Sequence, residues 1–472
     1  MAPLHQPPTI IETSHISPPN GTVPSTTLPL TFFDAPWLTL PLGQSLFFFS
    51  YPNSTERFLK DFVPNLKQSL SLTLQHFFPY AGNLIIPPRP DPPFLRYNDG
   101  EDSLVFTVAE STGGTDFDYL KTDSPKDIRV LHDLLPKLPP PHVSPQGIQT
   151  RPIMVIQVTI FPGRGICIGN TSTHVAADGV TFTHFMKYWM SLTKSNAGND
   201  STKILLPSPP IHTCRNVIKD PGEVAAGHLE RFWSQNSGNH GSHATPEDMV
   251  LATFTMSRNQ IDNLKHWVTE QSTIQSHVSS FVVTLAFAWV SLIKTLVQDS
   301  ETEAKGEDKD QQVFHLLINV DCRNRLKCTE PIPPTYFGNC MAPGIVSVNK
   351  RDLLGENGVL AASDAITARI KEMLSSDLLK TAPTWGRGVG KWVMSRFPTS
   401  IAGAPKLGLY DMDCGLGKPC KMEMVHIETG GSIAFSDSRD GSNGVEVGIA
   451  LEKKKMDAFA LNLQQGIKRF EI

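Results

Sequence analysis

Apolar runs of strand length and apolar stripes of helical period alternate along this chain, and the alternation predicts most of its elements. Leu46-Phe47-Phe48-Phe49 reads as a fully buried strand. Pro64 is placed to open a helix that carries Leu66, Leu70, Leu74 and Phe77 on one face, and Pro79, Gly82 and Asn83 end it. Strands are expected over Leu104 to Val108 and Ile153 to Phe161. The turn Pro162-Gly163-Arg164-Gly165 then returns the chain along Ile166 to Thr171 as a hairpin. A helix follows with Phe182, Phe185, Met186 and Trp189 on a shared face.

The second half repeats the alternation. Met249 to Met256 is a strand, Arg258 to Gln271 a helix, and Phe281 to Val297 a buried helix with Ser279 and Ser280 as natural N-caps. Thr284, Ser291 and Lys294 make that last run too polar, and its length too short, for a membrane span. Val313 to Val320 suits a central strand, and Ala361 to Lys380 is helical. Strands are expected near Lys421 to Ile427, Ser432 to Phe435 and Val445 to Leu451, before a closing helix with Met456, Phe459, Leu463 and Ile467. The first thirty residues, rich in Pro, Thr and Ser, are extended, with Ile10 and Ile11 able to form a strand. The run Asp299 to Asp310 and the stretch Gly238 to Ser242 read as solvated loops. The class is α/β or α+β.

Length and composition narrow the function. A chain of 472 residues exceeds one ordinary core and suggests two or three domains. The breakers from Lys194 to about Gly227 mark a crossover between two halves. A net charge of −4 argues against a nucleic-acid partner. The N-terminus lacks a signal-peptide pattern. Seven cysteines, an odd number, suit free thiols in a reducing compartment. Cys322/Cys328 and Cys414/Cys420 lack zinc-ribbon spacing, so no metal is expected. The protein reads as cytosolic, with no membrane partner.

The chemistry centres on Thr171-Ser172-Thr173-His174-Val175-Ala176-Ala177-Asp178-Gly179. A strand delivers His174 to a loop, and Asp178 and Gly179 lead into a helix. A scaffold of this kind holds a reactive side chain while leaving it accessible. An imidazole is largely neutral at cytosolic pH and can take a proton. Any one of the 15 histidines taken blind is a surface or satisfied core residue, so the context of His174 carries the reading. A metal site would need a further ligand that the local sequence does not supply. No Gly-x-Ser-x-Gly elbow occurs for a serine hydrolase. Gly386-Arg387-Gly388-Val389-Gly390-Lys391 lacks both the Walker and the dinucleotide spacing.

STHVAADG closely resembles the His-x-x-x-Asp-Gly motif of the BAHD family of plant acyl-CoA-dependent acyltransferases. LTFFDAPWL near the start, SLSLTLQHFFPYAGNL, SFVVTLAFAWVSLIK, GAPKLGLYDMDCGLGKP and SRDGSNGVEVGIAL extend the resemblance over nearly the whole chain in order. Tyr336-Phe337-Gly338-Asn339-Cys340 is similar to the signature of the branch that acylates anthocyanin and other phenolic glycosides, including many malonyltransferases.

The resemblance implies two similar-sized mixed-sheet α/β domains with a channel between them. They are residues 1–194, carrying the motif, and 228–472, joined by a crossover at 195–227. It implies a monomer with no tightly bound cofactor, acyl-CoA as co-substrate, and a glycosylated small-molecule acceptor. His174 is then the general base, and Asp178 supports the loop by pairing with Arg323, or alternatively Arg325. Gly179 lets the backbone turn tightly into the helix. Ser280 and Lys418 fall on the CoA side.

The branch signature favours malonyl transfer to a sugar hydroxyl of a flavonoid glycoside, with a hydroxycinnamoyl donor such as coumaroyl-CoA as the alternative. A malonyl carboxylate wants an Arg or Lys; a coumaroyl ring wants an apolar pocket. One departure stands out. Where the family reads Asp-Phe-Gly-Trp-Gly, this chain has Asp413-Cys414-Gly415-Leu416-Gly417. Asp413, Gly415 and Gly417 keep the turn, but two aromatics of roughly 150–250 Å² each are lost. That loss motivates a second reading, a degenerate binding protein that retains the channel. A condensation-type domain with a carrier-bound donor is a third.

Overall fold

The computed structural model describes residues 6–113, 116–197, 206–236, 248–272, 278–300, 312–326, 330–429 and 431–470. The loop expected at 238–242 and residues 301–310 of the one expected from Asp299 lie outside the described residues; Asp299 and Ser300 end a helix instead of opening a loop.

Among the described residues three sheets form. The first runs in the order Thr9–Ile16, Leu104–Glu110, Met154–Phe161, Gly165–Ser172, Gly43–Ser50, Lys421–Met424. The second runs Met341–Asn349, Val313–Asp321, Thr399–Gly403, Ser432–Asp437, Val445–Glu452, Met249–Met256, Lys126–Asp127. A smaller five-stranded sheet lies in the first half. The hairpin pairs Phe161 with Gly165 and Met154 with Ser172. Its central position in the sheet explains its near-continuous apolar sequence, since both faces are buried.

Each half lends a strand to the other's sheet. Lys421–Met424 pairs antiparallel with Gly43–Ser50, and Lys126–Asp127 pairs with Met249–Met256. The two sheets therefore do not divide at one point in the chain. Where the exchanged strands meet, Lys126 and Lys421 are fully buried among Glu423, Glu446 and Asp123. Arg439 joins them through Asp123 and Glu446. Three cations meet three carboxylates, so the buried charges are mutually compensated.

The helix Val224–Asn236 spans the expected start of the second domain at 228, yet it packs on the first half. Phe232 is buried in the N-terminal core, and Arg89 both pairs with Glu230 and lies over Trp233. The first turn of this helix differs: Val224 and Ala225 join a cluster in which Phe32 and Phe33 meet Cys322 and Tyr336 of the second half.

The helix Ser280–Ser300 is longer than the expected Phe281 to Val297, and long and apolar enough to cross a membrane. The expectation of too short a run is corrected by the extra residues that the helix takes up at both ends. Its side chains instead fill the second core, where Leu285, Trp289, Leu292 and Ile293 are fully buried. Ser279, not Ser280, caps it by accepting from Val282 N–H. The stretch containing Gly386 to Lys391 is helical, Trp385–Val393, and makes no phosphate loop.

Candidate active site

The strand Gly165–Ser172 ends two residues before His174, and the helix Gly179–Ala197 begins five residues after it. Asp178 caps that helix: its Oδ1 accepts from Thr181 N–H at 3.1 Å. The same carboxylate receives both Nη atoms of Arg323, at 2.9 and 3.0 Å, and Cys340 N–H at 3.0 Å. Every lone-pair direction of Asp178 is occupied by one of these donors, and none is His174. Arg325 is exposed and donates to Asp321 O instead, so Arg323 is the partner. Burial alone would lower the Arg323 pKa, but Asp178 and Asp321 more than reverse this.

Arg323 also ties in the segment that follows Tyr336. Its Nη2 donates to Tyr336 O and Gly338 O. Gly338 has φ +147°, and a Cβ there would lie 2.6 Å from the Tyr336 hydroxyl oxygen, so only glycine permits this turn. The turn delivers Asn339, fully buried, to His174.

Asn339 fixes the imidazole. Its Nδ2 faces acceptors only, namely Asp34 Oδ1 (2.9 Å), His174 O (2.9 Å) and Val175 O (3.1 Å). The amide nitrogen must therefore point that way, and Oδ1 faces His174 Nδ1 at 3.3 Å. An oxygen there requires a proton on Nδ1, which leaves the Nε2 lone pair free. Asp34 is itself buried and held by Arg215 Nη1 at 2.6 Å and by Thr31.

Two further rings complete the setting. Trp37 stacks on the imidazole with centroids 3.5 Å apart and planes 9° apart. His426, beyond the exchanged strand, sits against the backbone of Gln44, with Nδ1 3.0 Å from Gln44 O. Burial, opposed by Asp178 and aided by His426, lowers the His174 pKa to about 4. The imidazole is thus unprotonated at neutral pH, with Nε2 able to accept a proton.

The family signature for the Transferase family matches residues 7–465. This chain is a BAHD acyltransferase.

Relatives of different donor name lie at different distances. The chain is 82% identical to coumaroyl-CoA:anthocyanidin 3-O-glucoside-6''-O-coumaroyltransferase 1 of Arabidopsis thaliana, over 98% of both chains. It is 36% identical to malonyl-coenzyme A:anthocyanin 3-O-glucoside-6''-O-malonyltransferase of Dahlia pinnata, over 98% of this chain and 97% of the relative. The crystal structure of vinorine synthase shares the fold across 97% of each chain, with TM-score 0.65 at 18% identity. BAHD acyltransferases use acyl-CoA as co-substrate, and a structure of TRI101 from F. graminearum with ethyl coenzyme A shares the fold over 92% of this chain and 96% of its own (TM-score 0.65, 14% identity).

The altered BAHD motif keeps its turn. Asp413 Oδ1 accepts from Gly415 N–H (2.8 Å) and Gly417 N–H (3.1 Å), and both glycines have positive φ. Asp413 Oδ2 pairs with Lys194 at 2.7 Å. Lys194 lies near the far end of the helix that starts at Gly179, roughly 22 Å along its axis at 1.5 Å per residue. Cys414 is fully buried in the first core and Leu416 packs against it.

Gly179 departs from expectation. It is the first residue of a regular helix, has no positive φ, and a Cβ there would meet nothing within 4 Å. The tight turn does not need it; the capping carboxylate of Asp178 makes the turn. Ser280 opens the second-half core helix, and Lys418 is exposed and paired with Asp411. Neither joins the hydrogen bonds around His174. Sequence reasoning did not single out Asp34, Trp37, Arg215, Asn339 or His426 as site residues. LTFFDAPWL and Tyr336 to Cys340 had marked three of them as parts of motifs.

Proposed function

We propose that this enzyme transfers a coumaroyl group from coumaroyl-CoA to a glucose hydroxyl of an anthocyanidin 3-O-glucoside, with His174 as general base. The observation that carries the donor is the 82% identity to a coumaroyltransferase, against 36% to a malonyltransferase. The hydroxycinnamoyl alternative thereby replaces malonyl as the leading reading. The surroundings of His174 agree with an aromatic acyl group. Trp37 walls one side, the charges acting most on the ring are Asp178 and His426, and Asp178 is neutralised by Arg323.

In the reaction the acceptor hydroxyl gives its proton to Nε2 while its oxygen bonds to the thioester carbonyl carbon. The tetrahedral oxyanion collapses, the C–S bond breaks, and the departing CoA thiolate takes the proton back from Nε2. Asn339 keeps Nδ1 protonated throughout, so the imidazole shuttles one proton on one nitrogen. Holding both substrates in one channel makes the attack effectively intramolecular.

The test measures CoA release and product formation with an anthocyanidin 3-O-glucoside and either donor. Coumaroyl-CoA is expected to turn over at least ~10-fold faster in kcat/KM, and His174→Ala to lose ~10²–10⁴-fold. Equal or faster turnover of malonyl-CoA would sink the donor reading. An unimpaired His174→Ala enzyme would sink the base.

A further inference from the structure

We infer that Trp37 is a positioning residue for His174: its indole fixes the plane of the imidazole and shields that face from water while leaving the Nε2 lone pair open. The inference rests on the reading of His174 as the base.

The geometry makes the case. A single hydrogen bond from Nδ1 to Asn339 holds one atom of the ring but lets the ring swing about that bond. A parallel ring at 3.5 Å and 9° removes the swing. The lone pair of Nε2 lies in the ring plane, so a partner on the face does not cover it. Once protonated, the imidazolium lies over an indole face, which favours a cation. One wall of the site thus serves both protonation states.

The wall is built to stay in place. Trp37 rides on the short 3-10 turn Ala35–Thr39, which starts after Asp34 and has a proline in its first turn. Asp34 accepts from Thr31, Arg215 and Asn339. The same carboxylate therefore anchors the turn that bears the indole and the amide that holds Nδ1. The helix Val224–Asn236 packs on the turn from outside. Trp37 has no charge or proton to offer the reaction, so its part is to orient and to exclude water.

The titratable groups around His174 are Asp178, bound to Arg323, His426 from the second half, and Asp34 through Asn339. Arg215 pairs with Asp34 and donates to Ala176 O in the same loop. Burial is the largest influence on the ring and holds its pKa down. Opening one face to water removes part of this largest influence along with the weaker attraction of the indole for the imidazolium, so the net movement expected is upward.

The experiment uses the full-length enzyme, coumaroyl-CoA and an anthocyanidin 3-O-glucoside, with initial rates from pH 4 to 8. W37F keeps a flat ring and is expected within ~3-fold of wild type in kcat. W37A is expected to lose ~10–100-fold in kcat with the KM for coumaroyl-CoA within ~3-fold, and its acid limb in kcat/KM should move up towards 6.5. W37A with wild-type kcat and an unmoved limb overturns the inference. If W37A does not fold by circular dichroism, W37L keeps apolar bulk without a flat face and is expected to show the same loss; W37L at wild-type kcat overturns it equally. Wild-type enzyme that turns over no acyl-CoA would overturn the acyl-transfer reading itself, and this inference with it.

Discussion

Arg323 grips both carboxylate oxygens of Asp178, at 2.9 and 3.0 Å, with each side chain only 2% exposed. The pair joins the loop after His174 to the second half of the chain, and it leaves no oxygen of Asp178 for the imidazole. Asp178 therefore works through structure. Removing one partner strands a buried charge, which costs about 3–5 kcal/mol. Asp178→Ala and Arg323→Ala should each lower the unfolding free energy from urea titration by an amount of that size. The double variant should lose clearly less than the sum of the two, because neither charge is then left alone. Additive losses would mean that the two side chains are not coupled.

Asn339 sets which imidazole nitrogen carries the proton. Asn339→Ala removes the acceptor at Nδ1, so the ring can take the wrong tautomer. A fall of ~10–100-fold in kcat is expected, less than the ~10²–10⁴-fold that losing the base itself costs, because part of the population keeps the right tautomer. Nitrogen NMR of labelled histidine should show the proton on Nδ1 in the wild type and a mixture in the variant. A variant with unchanged tautomer and unchanged kcat would refute this role.

The acid limb of activity should lie below the ordinary histidine range. The His174 pKa is lowered to about 4, so the base form persists as pH falls through 6.5 and is lost only nearer 4. Stability follows a related course. His174 and His212 are both lowered to about 4 by burial, so the unfolded chain binds their protons first. Between about 6.5 and 4 the unfolded state holds more protons, and stability must fall as pH falls through that window. Activity profiles and thermal melts from pH 4 to 8 check both. A limb in kcat/KM centred at 6.5 or above would contradict the burial of His174.

The exchanged strands meet at a buried ionic cluster. Lys421 is fully buried and pairs with Asp123 and Glu423, while Glu423 also holds Lys126. Lys421→Ala should cost about 3–5 kcal/mol in urea unfolding. High salt should restore none of it, since buried pairs are screened far less than exposed ones. A loss under 1 kcal/mol would show that the cluster is wet and weak.

The altered motif should resist reversion to the family's aromatic. Cys414 is fully buried in a packed core. Cys414→Phe alone should destabilise the protein by ~1–3 kcal/mol through overpacking. Thermal melts give the answer, and a more stable Cys414→Phe variant would reveal a cavity instead.

Much of the fold was legible because its elements bury continuous apolar faces. The strand Met249–Met256 and the helix Arg258–Gln271 fall where the pattern places them. The hairpin that leads to His174 does too, because a turn sequence separates two apolar runs. The strand Met341–Asn349 carried no clear signal, since Pro343 and Gly344 interrupt it and it lies at the sheet edge. The helix Val224–Asn236 carried no signal in the sequence, where only breakers stand out up to about Gly227.

The site divides in the same way. His174, Asp178 and Arg323 could be named from the motif and its family resemblance. What the sequence determined by itself was the strand-loop-helix that presents an imidazole, and the apolar and turn signals that build two sheets. What only the tertiary structure decided was the company of that imidazole: Asn339 from 165 residues away at Nδ1, Trp37 on its face, and Asp34 behind both. Local pattern encodes which face of an element is buried. Contacts between residues far apart in sequence depend on how whole elements pack, and no local period records that.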